Sequence, residues 1–96
     1  MNRKLTRREF DEIVVLAQKC IDAYSSREVT NDLRRLKFLS NILDIDPYIS
    51  GILSDLHSYS FEASKQKPHS EKSHWVKQAR WTLNKLEIHG VNREEK

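Results

Sequence analysis

The chain has 96 residues, 17 of them Lys or Arg against 14 Asp or Glu, and a net charge of +3. That length gives one domain near the lower limit for folding on a single core, and 38% hydrophobic residues with two glycines and two prolines exclude a disordered or β-rich chain. Cys20 is the only cysteine, which rules out an internal disulfide and suits a reducing compartment; the longest apolar run, Ile13 to Ala17, is far short of the roughly 20 residues of a membrane span, so a cytoplasmic protein without membrane association is expected.

Residues 1–5 read as a frayed end. Behind them Thr6-x-x-Glu9 has the spacing of a capping box, and Phe10, Ile13, Val14, Ala17, Ile21 and Tyr24 recur on one helical face. A first helix over about 7–25 follows, with Cys20 on the flank of its inner stripe as a small buried hydrophobe. Ser25-x-x-Glu28 repeats the capping-box spacing and opens a second helix over about 27–44, with Val29, Leu33, Leu36, Leu39, Ser40 and Leu43 turned inward. Asp46-Pro47 is a restart signal, because an acceptor at the N-cap precedes the one residue that loses no amide bond at the first helical position. Ile49, Ile52, Leu53, Leu56 and Ser60 then give a third inner face, over about 47–60. Glu62 to His69 reads as the one extended loop. A fourth helix over about 71–89 carries Trp75, Ala79, Leu83 and Leu86 and stops at Gly90, read as a left-handed cap, with 91–96 frayed. The expected fold is an all-α antiparallel four-helix bundle in one domain.

Two helices have more apolar surface than one face needs. At about 100° per residue, Phe38, Ile42 and Ile45 fall opposite the inner stripe of the second helix, and Trp81 and Ile88 fall off that of the fourth. Either the domain covers these five itself, with the second helix central, or they form a surface for a protein partner or a second copy. Large aromatic anchors are enriched at interface hot spots, though a Trp can equally lie flat on its own surface or cover a neighbouring helix.

Charge is unevenly placed. No Lys or Arg occurs from Phe38 to Ser64, whereas Lys65 to Lys85 holds six basic residues against Glu71 alone. The alternation either favours pairing of the third and fourth helices or makes Lys65, Lys67, Lys72, Lys77 and Arg80 a contact surface for an anion or nucleic acid. A helix-turn-helix reading of the second and third helices fails, because Asp46 and Asp55 stand on the helix that phosphate would approach.

Catalytic and metal chemistry find no footing in the spacing. His57, His69, His74 and His89 form no i, i+3 or i, i+4 pair, Asp46 is explained by capping, and no Gly-rich phosphate loop is present. No cofactor or metal is expected. The run Leu5-Thr6-Arg7-Arg8-Glu9-Phe10, followed by Ile13-Val14, resembles the opening of the small four-helix immunity proteins that inhibit colicin-type nucleases. Those proteins are acidic and carry adjacent tyrosines in a short third helix; this chain is basic, and Tyr48 and Tyr59 are far apart. The resemblance implies partner binding and no specific contact residue. The sequence therefore points to a non-enzymatic protein-binding module, such as an immunity protein, inhibitor or regulatory adaptor, with nucleic-acid binding as the alternative.

Overall fold

The computed structural model describes residues 2–92 and is 78% helical, with four helices packed against one another and no strands among the described residues. They are α1 (Arg7–Asp22), α2 (Thr30–Ser40), α3 (Pro47–Ser64) and α4 (His69–Gly90), with a 3-10 turn, Ser26–Val29, leading into α2. The bundle measures 42 × 22 × 22 Å.

Start signals act largely as the spacing predicts. In the capping box of α1 the Glu9 amide donates to Thr6 Oγ1 at 3.1 Å and the Thr6 amide donates to Glu9 Oε1 at 2.8 Å. Asp46 accepts from the Tyr48 amide at 2.8 Å in front of Pro47. Ser25 caps only the 3-10 turn, taking the Arg27 amide, while Glu28 reaches back to the Tyr24 amide instead of closing a box.

The central helix is α3, not α2. It packs against all three others, most extensively against α4, whereas α2 and α4 do not touch. Its composition permits this, for α3 holds no Lys or Arg and turns Ile49, Ile52, Leu53, Leu56, Ser60, Ala63 and Ser64 inward. It also runs a turn beyond the expected end at 60, because Ala63 and Ser64 are small enough to continue the buried face, and α4 starts at His69 instead of 71.

Helix α2 is shorter than the periodicity suggests. The Ser40 hydroxyl and the Asn41 side-chain amide both donate to the Lys37 carbonyl, at 2.7 and 2.8 Å, competing with the helical ladder. The Ser40 carbonyl then accepts from Ser50 Oγ at 2.6 Å, so the helix end is satisfied from α3. Leu43, expected inside, is consequently fully exposed on the connecting loop. Tyr24 is exposed for the same reason, since α1 ends at Asp22. Val14, Trp75 and Leu83 are half-buried instead of fully enclosed.

The ends are not frayed where the structure describes them. The Leu5 amide donates to the Gly90 carbonyl and the Asn92 amide to the Leu5 carbonyl, both at 2.8 Å; Arg3 exchanges backbone bonds with Asp44 and Asp46 at 2.7 and 2.9 Å. Residues 3–5 thus form an extended strap between the α2–α3 loop and the end of α4, with Leu5 and Val91 buried. The expected fraying over 93–96 lies outside the described residues. Gly90 is not a left-handed cap: among the described residues no glycine has positive φ. A Cβ there would come within 2.8 Å of a terminal methyl of buried Leu86, so any larger residue makes that side chain shift.

Candidate functional site

Tyr48, Ile52, Asp55 and Tyr59 recur at i, i+4, i+7 and i+11 along α3, one side of the helix over about 16 Å. Trp75, Gln78, Thr82, Lys85 and His89 make the matching row on α4. The two rows meet at both ends, with the Tyr59 and Trp75 ring centres 6.0 Å apart and Tyr48 edge-on to His89 at 6.3 Å. Lys85 Nζ stands 5.7 Å above the Tyr48 ring, within cation–π range. Between these ends Ile52, Asp55, Tyr59, Trp81 and Lys85 line a shallow cleft.

This face groups exposed aromatic and aliphatic side chains from two packed helices. Trp81 is 71% exposed, Tyr48 56% and Ile88 48%, with Lys85 and Asp55 as polar neighbours. Aromatic anchors within a polar rim are the composition of an interface core. Trp81 and Ile88 stand two turns apart on the outer stripe of α4, as their spacing predicts. Tyr48 and Tyr59 were not legible as members of this face. Their signal was the i, i+11 spacing on the helix that turned out to be central.

Phe38, Ile42 and Ile45 do not join it. Phe38 is 62% exposed, but on α2, where the Arg35 guanidinium covers its ring at 5.2 Å and binds Glu12 of α1 at 2.6 and 3.1 Å. Ile42 is half-buried against the core and Ile45 is only 4% exposed. Ile45 is therefore corrected from contact residue to core: with α2 ended at Ser40, the wheel that turned it outward no longer applies, and the loop folds it inward beside Arg3.

The basic residues of 65–85 likewise fail to form one surface. Lys65 and Lys67 both bind Glu62, at 3.1 and 2.9 Å, and together hold its carboxyl below the usual range. Lys72 Nζ donates to the carbonyls of Ala23 and Ala63 at 2.8 and 2.5 Å, a cation placed at the C-terminal ends of α1 and α3. Of the five cations proposed for anion or nucleic-acid contact, Lys77 and Arg80 remain exposed and outside every ion pair among the described residues.

Two titrating groups bear on chemistry. Burial pushes the Cys20 thiol up to about 11, far from the thiolate a nucleophile needs. Hydrogen bonding to Arg3 holds the Glu9 carboxyl down at about 2. Both are structural groups. Among the described residues no cluster of His, Cys, Asp or Glu could hold a metal ion, and no helix is long and apolar enough to cross a membrane. Compared with family models, with curated proteins and with solved structures, the chain matches none of them.

Proposed function

We propose that the chain is a non-enzymatic protein-binding module that engages a protein, foreign or a second copy, through the outer face of α3 and α4. The observation that carries this reading is Trp81, a large aromatic side chain left 71% exposed over the cleft lined by Ile52, Asp55 and Tyr59, on the most extensively packed helix pair. Exposure there forgoes roughly 1.5–3 kcal/mol per large side chain relative to burial, and nothing in the helix itself returns it. An immunity protein, an inhibitor and a regulatory adaptor all need such a rigid anchor face. Nucleic-acid contact through residues 65–85 loses ground, because Lys65, Lys67 and Lys72 are spent on internal partners.

The test places a photoreactive amino acid at Trp81 and, separately, at exposed Asn31 on α2, in the full chain inside its source cells. The expected result is one defined protein adduct from position 81 and none from position 31. Equal labelling at both positions, a nucleic-acid adduct or no adduct overturns the reading. Trp81→Ala should leave the melting temperature within about two degrees of the parent, since that side chain is 71% exposed. Association with the captured protein should fall by about 2 kcal/mol or more.

A further inference from the structure

A second concavity lies between α2 and α3. Arg27 of the 3-10 turn and Arg34 and Lys37 of α2 line it, the last two one helical turn apart. Its apolar lining is the edge of buried Leu33 and Phe61, which is 36% exposed and carries Lys65 Nζ 4.3 Å over its ring, and His57 lines it from α3. The volume is about 320 Å³, at the lower end of the range for small-molecule pockets.

Among the described residues Lys77 and Arg80 on α4 are unpaired too, but the groove gathers three unpaired cations beside one apolar patch. Arg3, Arg35, Lys65 and Lys67 are each matched by a carboxylate within about 3 Å. Arg27, Arg34 and Lys37 have no side-chain ion pair among the described residues, and no carboxylate lines the groove. Burial, and after it the Lys37 charge, hold the His57 imidazole below its usual value. Three uncompensated cations beside an apolar patch make two demands on an occupant. A bare phosphate would answer the cations and leave the exposed part of Phe61 uncovered. A neutral hydrocarbon would do the reverse.

We infer that this groove binds a small anionic amphiphile, a molecule with a carboxylate or phosphate head for Arg27, Arg34 and Lys37 and an apolar body that lies on Phe61 and the edge of Leu33. The site is separate from the α3–α4 face and does not depend on the protein-binding reading. Guanidinium groups suit either head, since their forked donors match carboxylate and phosphate oxygens.

The experiment titrates the full chain with octanoate and with octyl phosphate while following backbone amide resonances, with octanol as the body alone and inorganic phosphate as the head alone. Saturable shifts confined to Leu33, Arg34, Lys37, His57 and Phe61 are expected for one or both amphiphiles. Whichever saturates names the head, and the two controls should bind at least about tenfold more weakly. Arg34→Gln combined with Lys37→Gln, and separately Phe61→Ala, should each weaken binding by about tenfold or more with the helical circular dichroism unchanged. Should the double variant lose helicity, Arg34→Lys, which keeps the charge but not the fork, serves in its place and should still weaken binding measurably. Shifts mapping elsewhere, octanol binding as tightly as octanoate, variants that bind as the parent does, or occupancy by a Glu-rich peptide but by neither amphiphile would each overturn the assignment.

Discussion

Glu9 does two jobs with two oxygens. Oε1 closes the capping box on the Thr6 amide, and the pair of oxygens holds the Arg3 guanidinium at 2.8 and 2.9 Å. The bond to Arg3 depresses the Glu9 carboxyl from 4.5 to about 2. A depressed carboxyl contributes stability that is fully present above its ordinary value and is lost as pH falls toward the depressed one. Acidification from about pH 4.5 to about pH 2 should therefore remove part of the stability, at most roughly 3 kcal/mol and less after screening at a side chain 22% exposed. Glu9→Gln keeps an acceptor for the Thr6 amide while discarding the charge. Denaturant melts across that window should show a flatter acid limb for Glu9→Gln; identical limbs would mean that the Arg3 pair contributes nothing.

At the scale of elements, a lysine takes the place that helix-capping residues usually hold. Lys72 ties the last carbonyls of α1 and α3 to the first turn of α4, so three helices share one ammonium group. Lys72→Met keeps most of the aliphatic stem and removes the donors. Stability should fall by about 1.5–3 kcal/mol, the usual cost of deleting charged hydrogen bonds. Amide exchange should quicken in the last turns of α1 and α3, and unchanged melting and exchange would show that water replaces the ammonium without loss. In the sequence Lys72 reads as one member of a basic run, because the carbonyls it serves are 49 and nine residues away. The same limit governs the rest. Phe10, Ile13, Leu36, Leu53 and Leu86 were legible as core because a 3.6-residue period is local, and the caps at Thr6 and Asp46 were legible for the same reason. The stop of α2 was not, since Ser50 of α3 completes it, and with it went the placement of Leu43 and Ile45. On the candidate face Trp81 and Ile88 were readable from their own helix, whereas the contribution of Tyr48 depended on which helix α3 would lie against.

Across the whole molecule, the strap of residues 3–5 joins one end of the bundle to itself. Leu5 is fully buried between the end of α4 and the start of α1, and Arg3 bonds the α2–α3 loop on its other side. Leu5→Ala should cost about 2–5 kcal/mol, as other enclosed leucines do, and lower the melting temperature by at least several degrees in a domain of this size. A loss under about 1 kcal/mol would mean that the strap rests on the surface. The strap also imposes an order in time. Leu5 is synthesised long before Gly90 and Asn92, the residues that take its two backbone bonds, so its seat does not exist until α4 is built to its last turn. Closing so long a loop yields its contacts only after the entropy has been spent, which makes it a late event in folding. For most of the chain's birth one of the fully enclosed leucines of the finished protein waits in water, and the step that seats it is also the step that joins the first residues described to the last.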